Sequence, residues 1–283
     1  MNIPRHWVRA KLSMPIEGEE EPFVTEAFGH SDLSESAAQA DAIARAQRVA
    51  AWWRRIVGDE DGPDLQRYGY GSDRPVREPI LQEFHDDRGV RIAAITRNGY
   101  GALVLNTAKV AIIDVDLPPQ VGIVGRLFGK RSKGADEVRD GIRAAAESSG
   151  VGGCLYRTPA GFRFVATTEL VDPTTPRSDE LLGRFGSDPK YRALCRVQRS
   201  FRARLTAKPW RCGVAAPPVE WPFRDAAHEA RFRAWLERYE RASQPFAACE
   251  RLGEVGRKGA APEAATIVAE HDRRACRAGA ALA

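Results

Sequence analysis

The sequence predicts an α+β protein with a ferredoxin-like or RRM-like βαββαβ core over residues 101–222. Three observations predict it. Residues 102–115 are the most apolar run of the chain, β-branched and bounded by turns, as one or two buried strands would be. Ala135–Ser149 has the amphipathic spacing of a helix and meets Gly150 at its end. Cys154-Leu155-Tyr156-Arg157 and Phe162-Arg163-Phe164-Val165 flank Thr158-Pro159-Ala160-Gly161, where Pro and Gly suit a hairpin turn. Residues 1–100 are expected to pack on this core as strands and a helix, and residues 223–283 to add a helical extension.

The elements follow in order. Residues 6–9 and 23–28 alternate and predict edge strands joined by an acidic turn at 17–21. Ser31, Asp32 and Glu35 suggest a capping box for an Ala-rich helix that Gly58 stops. A polar loop at 59–64 and the Gly/Tyr-rich Tyr68-Gly69-Tyr70-Gly71 come next. Strand-like runs at 80–85 and 90–96 lead to the turn Asn98-Gly99-Tyr100-Gly101. Pro118-Pro119 ends the apolar run, and residues 120–134, rich in Gly, Lys and Arg, read as an exposed basic loop.

Beyond the hairpin, 178–185 and 189–198 read as helices, the second with Asp188 as cap and Pro189 at its first position. Residues 200–206 alternate as a strand does, with 212–216 expected as its short partner. Residues 225–241 form an amphipathic helix with Phe232, Trp235, Leu236 and Tyr239 on one face. A weaker helix is expected at 262–276, and the Ala-rich tail is expected to fray.

Bulk properties narrow the function classes. No apolar run approaches the ~20 residues needed to span a bilayer, and residues 1–9 have no apolar signal-peptide core. A cytoplasmic location without membrane association is the expectation. The five cysteines are odd in number and lack a Cys-x-x-Cys, which predicts small buried thiols rather than a disulfide framework or structural zinc. The net charge of +5, largely from Arg, permits a phosphate-bearing partner.

Asp114 and Asp116 end the apolar strand two residues apart, hence on one face. Two carboxylates so placed repel unless a cation neutralises them, and an oxygen-only site suits Mg²⁺ or Mn²⁺. The same pair before Pro118 also serves to end a strand. Arg97, Arg157, Arg163, Arg202, Arg204 and Arg211 lie in or beside expected strands. If Arg157, Arg163, Arg202, Arg204 and Arg211 share a face near the acids, they would hold a triphosphate or a nucleic-acid backbone; a solvated or salt-bridged face is the alternative. Trp210, Tyr68, Tyr70 and Tyr100 occupy turns, from which aromatics either stack on bases or plug loops onto the core. His85 is the one histidine kept as an acid–base or metal partner, and His228 and His271 are expected to be exposed on charged helices. No Gly-x-Ser-x-Gly elbow and no phosphate loop are present.

Ile112-Ile113-Asp114-Val115-Asp116 resembles the first motif of the archaeo-eukaryotic primase superfamily. Thr158-Pro159-Ala160-Gly161-Phe162-Arg163 is similar to the turn of its second, with Phe164 near the place of the His. Val214-Ala215-Ala216-Pro217-Pro218 is similar to the stretch after the third, whose acid is missing. A second resemblance spans nearly the whole chain. His6-Trp7, Ser31-Asp32, Tyr68-Gly69-Tyr70-Gly71, Arg77-Glu78, Thr96-Arg97-Asn98, Val104-Leu105-Asn106-Thr107, Asp114-Val115-Asp116, Tyr156-Arg157-Thr158, the stretch 201–206 and the stretch 208–213 resemble a bacterial family without an assigned activity. It supplies no residue roles.

The expectation is a nucleotide- or nucleic-acid-binding protein on a primase-like or palm-like core, catalytically degenerate. The alternatives are a Mg²⁺- or Mn²⁺-dependent nucleotidyl- or phosphoryl-transfer enzyme using Asp114 and Asp116, and a non-catalytic protein-interaction domain.

Overall fold

A computed structural model describes residues 1–15, 21–58, 75–118 and 134–283, the side chains of 54–58 excepted. The readings at 17–20, 59–64, 68–71 and 120–133 lie outside the described residues. The chain divides into two compact units, one of Asn2–Pro79 with Pro217–Trp235, the other of Met1, Ile80–Ala216 and Leu236–Ala283.

In the first unit β1 (His6–Met14) and β2 (Phe23–Ser31) form an antiparallel ribbon, and α1 (Glu35–Gly58) follows. Ala38, Ala42, Ala46 and Ala50 recur at one-turn spacing and are buried. Small residues let the ribbon come close: a Cβ on Gly29 would lie 2.1 Å from the Ala42 nitrogen. The cap of α1 is Ser34, whose Oγ accepts from the Ala37 amide at 3.1 Å. Asp32 instead accepts from the Arg5 amide, so the expected cap moves two residues along the chain.

In the second unit the strands are β3 (Ile80–His85), β4 (Arg91–Arg97), β5 (Leu103–Thr107), β6 (Val110–Asp116), β7 (Gly153–Thr158), β8 (Gly161–Leu170), β9 (Phe201–Arg204), β10 (Phe246–Ala247), β11 (Glu250–Val255) and β12 (Ala281–Leu282). Its helices are α2 (Ala135–Ser149), α3 (Pro176–Arg184), α4 (Pro189–Gln198) and α6 (Pro262–Ala275); α5 (Ala226–Ser243) runs through the boundary between the units. The fold is mixed α+β. One antiparallel sheet has the order β11-β7-β8-β6 and the other β3-β4-β5-β9.

The expected βαββαβ core puts β6, β7, β8 and β9 in one sheet; β6 pairs with β8 and β8 with β7, with α2 between β6 and β7 in the chain. The fourth expected strand departs from that pattern: β9 pairs with β5 in the other sheet, not with the edge of β6. Alternation identifies a strand and its buried face, here Phe201, Ala203 and Leu205, but it does not name a partner. The stretch 212–216 is not a strand; a 3₁₀ turn at Pro209–Cys212 precedes it. The tail pairs rather than frays: β12 lies parallel to β10, and the Ala283 amide donates to the Ala247 carbonyl at 3.0 Å.

Ile112, Ile113, Leu155, Phe164, Leu105 and Phe201 are fully buried in one apolar core. Each such side chain contributes roughly 1.5–3 kcal/mol of burial. Cross-strand register then decides which polar residues meet. Asp114, Arg163, Tyr156 and Arg251 lie side by side across β6, β8, β7 and β11. Asp116 sits opposite Gly161 one step nearer the strand end, where a Cβ would lie 2.1 Å from the Val115 carbonyl oxygen. Glycine is therefore what the hairpin needs at 161 for β8 to approach β6.

Candidate functional site

The end of β6, the Thr158-Pro159-Ala160 turn, the start of α4 and the segment after β9 enclose a cleft of about 260 Å³. Asp114, Asp116, Arg163, Asp188, Tyr191, Arg204, Lys208 and Arg211 line it. Of the expected site residues it brings together both acids and three of the five arginines.

Asp114 is not free. Arg163 Nε donates to Oδ1 at 2.7 Å and Arg163 Nη2 to Oδ2 at 3.0 Å, a two-pronged ion pair. The Arg163 side chain is 4% exposed, the Asp114 side chain 40%. Arg163 Nη1 donates to the Arg204 carbonyl at 3.0 Å and faces His271 Nε2 at 3.2 Å. An arginine only donates, so His271 Nε2 is an acceptor and its proton sits on Nδ1, which donates to Asp272 at 3.0 Å. Burial, with Arg163 beside it, pushes the His271 pKa down and keeps the ring neutral. His271 is thus fully buried on α6, contrary to the expectation of an exposed residue. Its i−3, i−4 and i−7 neighbours Val268, Ile267 and Ala264 are buried too, a stripe that could have revealed it.

Asp116 forms no salt bridge among the described residues. Burial and the nearby Asp114 raise its pKa, and Asp188 adds to this; Lys208 and Arg211 oppose it. Asp188 is partly engaged, since its side chain caps α4 by accepting from the Lys190 amide at 2.6 Å, as the sequence suggests.

The cations are less satisfied. Arg204 Nε donates to the Thr206 carbonyl at 3.1 Å. Burial and the neighbouring Arg163 and Arg211 push its pKa down to about 10. Lys208 is lowered by burial and by Arg204 and Arg211. Among the described residues neither of these, nor Arg211, closes a salt bridge, and Arg211 Nη1 is buried without an acceptor. Lys208 Nζ lies 5.3 Å from the centre of the Trp210 ring. Trp210 and Tyr100 meet edge to face at 5.2 Å, and they are 51% and 52% exposed. The Tyr191 hydroxyl ties the two sheets, donating to the Ile112 carbonyl at 2.7 Å and accepting from the Arg202 amide at 3.2 Å.

Two expected arginines do not line this cleft. Arg157 sits opposite Phe162, one step out of phase with Arg163, so the pleat points it to the other face, where it lies 5.2 Å from the Phe162 ring. Arg202 shares the face of Arg204 on β9, but its Nη1 donates to Gln198 at the end of α4. Arg97 bonds the Gly101 carbonyl and Glu240. His85 is placed beside Glu83, outside the cleft. Among the described residues no helix is long and apolar enough to cross a membrane.

Comparison with protein-family models, with curated proteins and with solved structures gave no match.

Proposed function

We propose that the cleft binds the phosphate groups of a nucleotide or of a single-stranded nucleic acid, with the Tyr100–Trp210 pair receiving a base. The observation that carries this reading is the convergence of Arg204, Lys208 and Arg211 on one cleft with no salt-bridge partner, and no acceptor for the buried Arg211 Nη1, among the described residues. Burial with Arg163 and Arg211 beside it lowers the Arg204 pKa, burial with Arg204 and Arg211 lowers that of Lys208, and an anion would relieve both. A guanidinium fork and an ammonium match phosphate oxygens. A half-exposed indole beside a lysine supplies a stacking surface for any base. The ferredoxin-like reading of β6-α2-β7-β8 is compatible with this role and adds no residue to it.

Mg²⁺- or Mn²⁺-dependent transfer is the second reading, and the raised pKa of Asp116 favours it, because a cation would relieve the repulsion from Asp114 and Asp188. The donor set fits poorly. Both oxygens of Asp114 accept from Arg163, and one of Asp188 caps a helix, so Asp116 alone offers an unengaged carboxylate.

Titration calorimetry at low salt with ATP and with a short oligo-dT separates the readings. Binding without added metal that is lost in Arg204→Ala and Arg211→Ala supports the phosphate cleft. Binding that requires Mn²⁺ and is lost in Asp116→Asn supports the metal-dependent reading. No binding of either probe overturns both.

A further inference from the structure

Behind Arg163, on the side away from Asp114, lies a second group that the cleft does not use. Cys249, between β10 and β11, meets His271 and Cys276 at the end of α6. The Cys249 and Cys276 sulfurs are 3.7 Å apart, and Cys249 Sγ is 3.8 Å from His271 Nε2. All three ligand atoms lie within 4.8 Å of one another. Cys249 and His271 are fully buried, and Cys276 is half-buried.

We propose that Cys249, His271 and Cys276 bind a thiophilic divalent ion of the zinc class, with the fourth position open to water or another ligand. Two thiolates at ~2.3 Å from a tetrahedral ion stand about 3.8 Å apart, and a thiolate and an imidazole nitrogen slightly less. The Cys249–Cys276 and Cys249–His271 separations are of this size, and the third pair lies within 4.8 Å.

The surroundings agree. A metal-bound His typically donates its other N–H to a carboxylate, and His271 Nδ1 donates to Asp272 Oδ1 at 3.0 Å. Asp272 is held in turn by Arg251 Nη1 at 2.6 Å on Oδ2. Both its oxygens are therefore engaged, and Asp272 is an outer carboxylate rather than a fourth ligand. The positive charge of Arg163 stands near both sulfurs, and that of Arg251 near Cys276. Two thiolates cancel the charge of the ion, while Asp114 and Asp272 balance Arg163 and Arg251.

One contact must yield. His271 Nε2 accepts from Arg163 Nη1, and a coordinated Nε2 has no lone pair left for it. This 3.2 Å contact is the longest of those Arg163 makes, and Arg163 keeps Asp114 and the Arg204 carbonyl when it is lost. Binding replaces both S–H protons by metal–sulfur bonds and releases them to solvent; nothing is oxidised.

The residues reach the site from distant points of the chain. Ala248 and Cys249 both donate their amides to the Ala275 carbonyl, which brings the β10–β11 turn against the end of α6. The ion would pin this turn to α6 and, through His271, fix the back of Arg163. The inference is independent of the ligand of the cleft.

The test is a Co²⁺ titration of the full chain, stripped of metal and reduced under anaerobic conditions. The expected result is saturation at one equivalent with thiolate-to-cobalt charge-transfer bands and the strong visible absorption of tetrahedral Co²⁺. Zn²⁺ should abolish the bands, and two protons should be released per ion. Cys249→Ser and Cys276→Ser should each weaken the charge-transfer band, while Cys154→Ser and Cys195→Ser should leave it intact. The wild-type titration decides even where a variant fails to fold. Absence of the bands, weak octahedral absorption, or bands of undiminished intensity in Cys249→Ser would overturn the site. So would a Cys249–Cys276 disulfide formed in the presence of saturating Zn²⁺.

Discussion

Asp114→Asn tests the central ion pair. Asp114 takes two of the hydrogen bonds of a guanidinium whose side chain is 4% exposed, and it supplies the countercharge. An asparagine keeps the shape, returns at most one acceptor and removes the charge. Breaking a fully buried pair costs about 3–5 kcal/mol because the surviving charge stays desolvated. The Asp114 carboxylate is 40% exposed, so water already screens part of the attraction and reduces the expected loss to about 2–3 kcal/mol. Asp116→Asn is the control, two residues away on the same face but outside any described salt bridge. Urea unfolding at neutral pH should show a midpoint drop for Asp114→Asn and none for Asp116→Asn. Replacing both partners by apolar residues, Asp114→Leu with Arg163→Met, should recover much of the loss. Equal midpoints for the two Asn variants would refute the ion-pair argument, since the effect would then belong to the strand end and not to Arg163.

Three further outcomes can be measured directly. If the three cations each neutralise one phosphate of oligo-dT, the logarithm of the binding constant should fall with the logarithm of salt concentration with a slope of about −2, and Lys208→Ala should flatten it by about 0.7. Trp210→Ala should weaken oligo-dT binding by roughly 1–3 kcal/mol in a fluorescence-anisotropy titration, with an unfolding midpoint close to wild type because the ring is half-exposed. Asp116 binds its proton more tightly in the folded chain than in the unfolded one, so its contribution to stability is full below the ordinary Asp pKa and is lost as pH rises through the raised value. Asp116→Asn should remove that slope and be more stable than wild type at neutral pH, as denaturation across the acid range would show.

Local signals carried much of the architecture. The hairpin over Thr158 to Gly161, the helix Ala135–Ser149 with Gly150 in the left-handed region, and the Asp188-Pro189 cap are all present where turn chemistry and periodicity place them. The buried face of β9 follows from its alternation. What alternation lacks is partner choice, so the pairing of β9 with β5 and the edge strand β11 were not legible. The cleft was half legible. Asp114, Asp116, Arg163, Arg204 and Arg211 could be picked out by type and position, but Arg157 fails by one register step. Lys208 and Asp188 enter through a turn and a helix cap, which sequence periods do not describe. The Cys249–His271–Cys276 group was invisible for the same reason: no ligand spacing precedes it, and two backbone bonds to the Ala275 carbonyl create it.

The cross-strand register changes the meaning of the Asp-x-Asp pair. Taken along β6 alone, two carboxylates on one face ask for a divalent ion. Across β8, Arg163 stands opposite Asp114 and already answers half of that demand. An ion at the ~2.1 Å that Mg²⁺ requires from a carboxylate oxygen would have to displace at least one guanidinium hydrogen bond. Arg163 could not follow into water, being buried between the sheet and α6, and an uncompensated buried guanidinium costs several kcal/mol. Mg²⁺ also gives up its hydration reluctantly, and a single free carboxylate, Asp116, offers little in return. An incoming phosphate meets the opposite situation. Arg204, Lys208 and Arg211 line one cleft and close no salt bridge among the described residues, and the proposed phosphate would give the buried Arg211 Nη1 the acceptor it lacks there. The same strand end that suggests a cation from its sequence is, once Arg163 is counted, a poor cation site, which favours the phosphate reading proposed above.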